Sequence, residues 1–157
     1  MIRVFTPEEK AAWKASVDTR WSSAGVAIIR GGDDEVLVVK ANYKAYWSFP
    51  GGIINTGESP LEAAIREVKE EVGVELASDD IQFRFVADRT SPRAQTFLFL
   101  FETRQLADDD ISISIDQTEI EEYAFVTKQQ IIDSDKYSES TKMWAQGFVG
   151  YTEQTII

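Results

Sequence analysis

The chain has 157 residues, of which 43% are hydrophobic, and a formal net charge of −11, a composition that fits one soluble domain with a core of ordinary size. It contains no cysteine and no histidine, which excludes disulfides, thiolate nucleophiles, thiolate or imidazole zinc sites and any Ser-His-Asp triad. The negative charge argues against bulk nucleic-acid binding, which needs a basic surface.

The first third of the chain carries one helix signal and one hairpin signal. Thr6-Pro7-Glu8-Glu9 is a capping pattern that predicts a short helix ending near Val17. Apolar runs over residues 23–30 and 35–40 are joined by Gly31-Gly32-Asp33-Asp34, which predicts a β-hairpin.

Strands are predicted again in the second half of the chain. Residues 81–87 alternate in polarity and residues 96–102 (TFLFLFE) are strongly β-prone, so residues 88–93 between them are predicted to be a loop. A polar turn over residues 108–110 precedes an apolar segment at 111–115.

The end of the chain is predicted to contain a last strand and two helices. The last strand covers residues 122–126, and residues 127–130 cap a helix. Residues 138–150 are predicted to be helical, with Trp144 and Phe148 packed inward. Strands on both sides of one buried helix predict a single domain over residues 1–157, an α/β/α sandwich on a mixed β-sheet.

That buried helix lies in the most informative segment, residues 52–74. Ser59-Pro60-Leu61-Glu62 is a capping box with proline at the first helical position, and Gly73 predicts where the helix ends. Apolar residues at helical spacing form one stripe along it: Leu61, Ala64, Ile65, Val68 and Val72.

Three carboxylates lie beside that apolar stripe. Around the helix axis, Glu67 is about 60° from Glu70 and about 40° from Glu71. Like charges at these spacings are mildly destabilising unless something neutralises them. Mg²⁺ and Mn²⁺ take carboxylate ligands and often complete their coordination with substrate phosphates, so the stripe predicts a divalent metal site.

A glycine-containing loop precedes the helix. Gly51, Gly52 and Gly57 allow close backbone approach to a ligand, and the loop ends at Glu58. Loop and helix together resemble the signature of the Nudix hydrolases, G-x5-E-x7-R-E-U-x-E-E-x-G-U, in which U is aliphatic. Every fixed position is filled: Gly52, Glu58, Arg66, Glu67, Val68, Glu70, Glu71, Gly73 and Val74. The preceding segment 47–51 (WSFPG) is similar to the usual lead-in of that family.

The resemblance implies the fold stated above and metal-dependent hydrolysis of a phosphoanhydride. It implies that Glu70 and Glu71 are the core metal ligands, and that Glu67 is a ligand or helps to orient water. The backbone carbonyl of Gly51 or Gly52 is a further implied ligand. Glu67 and Glu70 are therefore candidate catalytic residues, with Mg²⁺ or Mn²⁺ as the expected cofactor.

The resemblance also implies two supporting roles. Arg66 and Glu58 are expected to pair and hold the loop against the helix. Downstream, residues 119–125 (EIEEYAF) resemble the family's E-I-x-E-x-x-W stretch, with Phe125 in place of the tryptophan. Glu119 is then a candidate extra metal ligand or general base, and the alternative is that this stretch is an ordinary surface turn of an acidic protein.

Residues that bind the substrate are less well marked. Arg20, Arg89 and Arg93 are candidates to hold a phosphate, with Lys40 and Lys44 as further cations. Tyr46 is a candidate to stack a base, as are three other aromatic residues, Trp21, Tyr43 and Trp47. For each of them, a solvated charge or a structural packing role is the alternative.

The predicted function is cleavage of a nucleoside diphosphate linked to another moiety, such as a nucleotide sugar. Two alternatives remain: a nucleoside triphosphate pyrophosphatase, including one that removes oxidised nucleotides, and a Nudix-fold sensing module without catalysis. The expected partner is a small-molecule nucleotide. The amino terminus lacks an apolar signal core and no run approaches a membrane span, so a cytoplasmic protein is expected. Whether it forms a homodimer is left open.

Overall fold

A computed structural model describes residues 2–32 and 34–157, and within them the chain forms four α-helices and eight strands. The helices are α1 (Pro7–Ser16), α2 (Pro60–Val72), α3 (Lys128–Ile132) and α4 (Glu139–Ala145). The strands are β1 (Trp21–Ala27), β2 (Ile29–Arg30), β3 (Glu35–Ala41), β4 (Gly51–Ile53), β5 (Ile81–Thr90), β6 (Gln95–Thr103), β7 (Ile120–Thr127) and β8 (Gly150–Thr155).

The strands of this described part form two sheets rather than the one that was predicted. The larger sheet has the order β4-β1-β6-β5-β8 and is mixed, because β1 is parallel to β6 and antiparallel to β4. The smaller sheet has the order β2-β3-β7 and is antiparallel. The predicted mixed α and β architecture is confirmed.

Alternating side chains of the strands pack in two separate hydrophobic cores. On β3, Leu37 and Val39 belong to the core that contains Val68 and Val72 of α2. Val36 and Val38 belong to the other core, which includes Trp144 of α4 and Phe85 of β5. Successive strand residues point to opposite faces, so helices cover both sides of the strand layer, as in a sandwich.

The predicted hairpin forms only in part, because the run 23–30 divides between the two sheets. Residues up to Ala27 pair with β4 and β6, whereas only Ile29 and Arg30 pair with β3. Ile28, at the junction, is fully buried and its carbonyl accepts from the Leu37 amide. One residue of the predicted turn, Asp33, lies outside the described residues.

Two other expectations were wrong. Asp88 and Arg89 belong to β5 and not to a loop, because β5 pairs with β6 as far as Thr90↔Gln95. The strand β7 is not the last one, since β8 follows it and pairs with β5 in parallel. The polar sequence of β8, GYTEQT, carries little apolar alternation, so its partner strand decides its conformation.

The predicted helices α1 and α3 are confirmed, whereas the helix predicted over residues 138–150 is shorter, because α4 ends at Ala145 and Gly150 begins β8. Thr6 and Thr127 each form a complete capping box, and Trp144 of α4 is buried. Phe148 packs edge-on against Phe85 at 5.4 Å between ring centroids. No helix in the described ranges is long and apolar enough to cross a membrane.

Candidate active site

The helix α2 begins and ends where its local sequence directs. The Ser59 hydroxyl accepts from the Glu62 amide at 3.2 Å, and the Glu62 carboxylate accepts from the Ser59 amide at 2.8 Å. Gly73 ends the helix with a φ of 73°, in the left-handed region that glycine adopts without strain. Val68 is fully buried, which fixes the rotation of the helix and therefore the direction of its acidic side chains.

The three glutamates of the stripe have different surroundings. Glu71 is only 4% exposed and accepts a hydrogen bond of 2.8 Å from the backbone N–H of Gly51. Glu67 lies against Gly52 so closely that a Cβ added there would be 2.4 Å from the carboxyl carbon of Glu67. Glu70 keeps 60% of its side chain exposed. Two carboxylates therefore face β4, and the third lies at the rim.

Arg66 connects the loop to the acidic face of α2, which Glu67, Glu70 and Glu71 form. Its Nε and Nη2 atoms donate to the two carboxylate oxygens of Glu58 at 2.7 and 3.0 Å, and Nη2 also donates to the Ile53 carbonyl at 2.9 Å. Its Nη1 donates to Glu67 at 2.6 Å and to Glu70 at 3.0 Å. Hydrogen bonds from Arg66 and from the Asn55 amide lower the pKa of Glu58. The guanidinium thus holds the loop against the helix while it neutralises the nearby carboxylates.

Glu71 is the carboxylate whose protonation differs most from ordinary behaviour. Burial raises its pKa to about 7, although the Gly51 amide and the charge of Lys44 act in the opposite direction. The negative charges of Glu67 and Glu119 raise it further. A nearby cation would relieve this cost.

Glu119 reaches the site from a distant part of the chain. It is exposed, and its charge raises the pKa values of both Glu71 and Tyr43. Its backbone carbonyl accepts from the Asn42 amide at 2.9 Å, which fixes the start of the segment after β3. The fold therefore brings Glu119 within electrostatic range of the acidic face, and whether it binds a metal or activates water stays a prediction.

The acidic face is suited to a hard divalent cation. Over residues 2–32 and 34–157, no three acidic side chains converge into a ready-made metal site, because Arg66 holds Glu67 and Glu70 while Glu71 accepts from Gly51. The available donors are carboxylate and backbone oxygens, the ligands that Mg²⁺ and Mn²⁺ prefer. The absence of a side chain at Gly52 leaves the Glu67 carboxylate room beside the backbone of β4. These residues fit such an ion.

A cleft of about 590 Å³ adjoins this face, and Gly51 and Gly52 border both. Its lining combines aromatic rings, two cations, two carboxylates (Asp135 and Glu139) and several hydroxyl groups. The lining includes Trp21, Tyr43, Lys44, Tyr46, Ser48 and Arg89.

Only part of the predicted substrate-binding set meets in this cleft. Arg89 and Tyr46 line it, together with Lys44. Arg20 does not line it, because its guanidinium is held by Asp18 and Asp88 at 2.6 Å each. Arg93 lies exposed in the turn between β5 and β6, outside the lining.

Other lining residues were missed by the sequence analysis. Ser48 lies inside the lead-in segment 47–51 but was not singled out there, and Ser140, Thr141 and Gln154 come from α4 and β8. No local motif marks the last three, since they meet the cleft only after distant elements pack together. The short polar strand β8 carried no signal that could have found Gln154.

Comparison with known proteins gives a family match over most of the chain. The family model described as NUDIX domain matches residues 19–146. The mRNA-decapping enzyme subunit 2 of Saccharomyces cerevisiae is 36% identical over 78 residues, which are 48% of this chain and 8% of that protein. The 8-oxo-dGTP diphosphatase of Escherichia coli is 40% identical over 53 residues, which are 31% of this chain and 41% of that protein. The chain thus spans less than half the length of either relative.

The fold also has solved counterparts. The crystal structure of the MutT protein from Methanosarcina mazei Go1 superposes with a TM-score of 0.70 at 19% identity. The match covers 85% of this chain and 96% of that one. At this identity the likeness establishes the shared fold.

Proposed function

The chain belongs to the Nudix family, and from this premise we propose that it is a metal-dependent pyrophosphohydrolase. Its substrate is a nucleoside diphosphate linked to another moiety, cleaved at the phosphoanhydride. The observation that carries the proposal is the position of Glu67 and Glu71, which face the backbone of Gly51 and Gly52 at the border of a ligand-sized cleft. Phosphoanhydride hydrolysis needs positioning and charge stabilisation more than covalent chemistry, and this arrangement supplies both.

Mg²⁺ or Mn²⁺ would be held by Glu67, Glu70 and Glu71, with a backbone carbonyl of Gly51 or Gly52 as a further ligand. When bound, the ion supplies charge neutralisation of the phosphoryl oxygens and lowers the pKa of a coordinated water. The donor set supports this choice, because it contains only oxygen ligands. The raised pKa of Glu71 supports it as well, since a buried carboxylate is costly to ionise without a cation.

The reaction adds a water oxygen to one phosphorus atom and breaks the bond from that phosphorus to the bridging oxygen. The products are a nucleoside monophosphate and the phosphorylated second moiety, and one proton must leave the attacking water. Glu119 is the proposed acceptor of this proton, because it is exposed and its charge acts on Glu71. Glu67 is the alternative acceptor on α2. In the ligand-free structure Arg66 holds Glu67 and Glu70, so these carboxylates must exchange Arg66 for the metal when it binds.

The cleft supports a substrate larger than inorganic diphosphate. Its volume of about 590 Å³ is within the range of small-molecule sites. Tyr43 and Tyr46 are partly exposed at the cleft, as is Trp21, and aromatic faces of this kind stack on nucleobases. The expected partner is therefore a small nucleotide.

A substrate panel tests the proposal. Nucleotide sugars, dinucleoside polyphosphates and nucleoside triphosphates, including oxidised ones, are incubated with Mg²⁺ or Mn²⁺, and the release of nucleoside monophosphate and pyrophosphate is quantified. We expect linked nucleoside diphosphates to be cleaved best, with no activity in excess chelator. Preferred release of pyrophosphate from triphosphates would favour the nucleotide-sanitising alternative, and nucleotide binding without turnover would favour a sensing module.

Variants of α2 sharpen the same test. Glu70→Gln and Glu71→Gln should each lower kcat on the order of 10²-fold, because each removes a charge that holds the metal. Glu75→Gln is the matched control, since Glu75 is exposed just beyond the helix and pairs with Lys69. Full turnover by either of the first two variants would contradict the assignment.

A further inference from the structure

Arg89 is a largely enclosed guanidinium without a carboxylate partner in the described structure. Six of the eight arginines form ion pairs there, and the other unpaired one, Arg93, is exposed. Arg89 Nη2 donates to the Ser23 hydroxyl at 2.9 Å, whereas its Nε is buried with no hydrogen-bond partner. Burial lowers the pKa of Arg89. A guanidinium has five N–H donors, so most of its capacity here is unused.

Lys44 is a second cation on the wall of the same cleft. Its ammonium forms no hydrogen bond or ion pair with another described side chain. It lies 5.5 Å from the centre of the Tyr43 ring. Burial lowers the pKa of Lys44, the charge of Glu71 opposes this effect, and the charge of Arg89 adds a smaller lowering. Both cations line the same cleft, so a ligand bound there can contact both.

The cleft also holds an unused hydroxyl. The structure described by residues 2–32 and 34–157 leaves three buried side-chain atoms without a partner, and two of them, Ser48 Oγ and Arg89 Nε, belong to residues that line this cleft. Buried polar groups are normally hydrogen-bonded, so such a concentration calls for a specific explanation. An anion in the cleft would accept from these donors and separate the two positive charges.

We propose that Arg89 and Lys44 form an anion subsite that holds a phosphoryl group of the substrate beside the acidic face. The planar fork of arginine binds two oxygens at once and the lysine ammonium adds a point charge, a combination suited to phosphate. Ser48, which also lines the cleft, contributes a hydroxyl donor. The identity of the ligand as a nucleotide rests on the proposed function; the binding of a phosphoryl group does not.

The subsite also accounts for how an acidic protein accepts an anionic substrate. The net charge is −11, and Glu67 and Glu71 border the cleft through Gly51 and Gly52. Two cations that form no ion pair in the described structure place positive charge on the wall of the cleft, which also carries the carboxylates Asp135 and Glu139.

The test measures binding without turnover. AMP, inorganic phosphate and adenosine are each titrated into the protein in excess chelator, and dissociation constants are obtained by calorimetry, together with the shift of the Arg89 Nε–H signal in ¹⁵N-labelled protein. We expect AMP to bind at least tenfold more tightly than adenosine and to shift the Arg89 signal. Arg89→Gln and Lys44→Gln should each weaken AMP binding at least tenfold.

The controls separate this subsite from bulk charge and from folding. Arg93→Gln removes the same charge from the exposed turn of the same hairpin and should leave AMP affinity within twofold. Lys44 lies outside the strands and helices, so Lys44→Gln is informative even if Arg89→Gln lowers the Tm. Arg89→Lys, which keeps the charge and loses the fork, should bind with intermediate affinity.

Three results would overturn the proposal: AMP that does not bind or binds no better than adenosine, wild-type affinity in Arg89→Gln and Lys44→Gln, or equal weakening in Arg93→Gln. The outcome is independent of hydrolysis. If the substrate panel shows no turnover but Arg89→Gln loses AMP, the subsite stands and the proposed function fails. If turnover needs metal but Arg89→Gln binds AMP normally, the function stands and the subsite fails.

Discussion

The acidic face of α2 and the cleft next to it differ in how their polar groups are satisfied. On the acidic face, Arg66 engages three carboxylates and Glu71 accepts from a backbone amide. In the cleft, Arg89 Nε and Ser48 Oγ are buried and have no hydrogen-bond partner among the described residues. Without ligand, the polar groups of the acidic face are hydrogen-bonded within the protein, whereas some polar groups of the cleft are not.

Because of this difference, ligand binding should stabilise the protein directly in the cleft and should require rearrangement at the acidic face. A metal at the acidic face competes with Arg66 for Glu67 and Glu70. An anion in the cleft meets two buried polar atoms, Arg89 Nε and Ser48 Oγ, that have no hydrogen-bond partner among the described residues. Removal of Arg66 should therefore destabilise the ligand-free protein, whereas removal of the Ser48 hydroxyl should not.

The largest expected effect is a pH dependence from Glu71. Because burial raises its pKa from 4.5 in the unfolded chain to about 7, its contribution to stability is fully present below about pH 4.5 and is lost as the pH rises through about 7. In chelator, wild-type protein should lose about 3 kcal/mol of unfolding free energy between pH 5 and 9 relative to Glu71→Gln. Urea unfolding at a series of pH values measures this, and a constant difference between the two proteins would show that Glu71 ionises without penalty.

Next in size is the removal of the central guanidinium. Arg66 keeps 26% of its side chain exposed, so Arg66→Ala should cost about 2–3 kcal/mol by leaving Glu58, Glu67 and Glu70 without their partner, and it should lower the rate as well. Thermal and urea unfolding report the first effect. Lys69→Ala is the control on the same helix, because the Lys69–Glu75 pair is exposed and contributes little. A normal Tm with only a raised KM would indicate that Arg66 contacts substrate instead.

A smaller loss is expected from Gly52→Ala. The new Cβ would lie 2.4 Å from the Glu67 carboxyl carbon, so Glu67 must move, at a cost of about 1–3 kcal/mol and with a loss of metal-dependent activity. Gly32→Ala is the control, since a Cβ there meets nothing within 4 Å. Equal behaviour of the two variants in unfolding and in rate would mean that Glu67 is not held against β4.

Glu119→Gln tests whether the acidic face depends on a carboxylate from outside α2. If Glu119 accepts the proton from water, kcat should fall about tenfold or more while KM changes little, the pattern of an interaction made in the transition state. Glu121→Gln and Glu122→Gln are controls on the exposed start of β7. Similar kinetics in all three variants would leave proton transfer to Glu67.

The smallest effect is expected in the cleft and has the opposite sign. Ser48 pairs with Val39 through its backbone while its buried hydroxyl has no partner, so Ser48→Ala should leave the ligand-free protein unchanged or more stable by up to about 1 kcal/mol. Thr103→Val is the matched control. The buried Thr103 hydroxyl accepts from the Ile29 amide at 2.9 Å, so its removal should lower the free energy of unfolding. A clear loss of stability in Ser48→Ala would reveal an internal partner.

The acidic face could be predicted from the sequence because its contacts are local. The caps of α2 join residues three positions apart, and Glu58 and Arg66 are eight positions apart on either side of one helix start. Glycine, proline and charge at fixed spacing are enough to specify such a unit. Its metal-binding role is not visible in the geometry alone, since Arg66 occupies the carboxylates.

The cleft could be predicted only in part because its walls come from six separate parts of the chain. Arg89 was assigned to a loop, since the polar triplet at the end of β5 shows no apolar alternation and depends on β6 and β8 for its strand conformation. Arg89 and Arg93 look equivalent in sequence, yet one is enclosed and the other exposed. Long-range pairing decided both outcomes.

The two glycines of β4 have a consequence for how ligands influence each other. The Gly51 amide bonds to Glu71 and the Gly52 backbone touches Glu67, while both residues also form the floor of the cleft. A cation at the glutamates and an anion in the cleft therefore share one short stretch of main chain. Thermodynamic linkage makes their interaction reciprocal. The factor by which the bound cation raises the affinity for the anion equals the factor by which the bound anion raises the affinity for the cation.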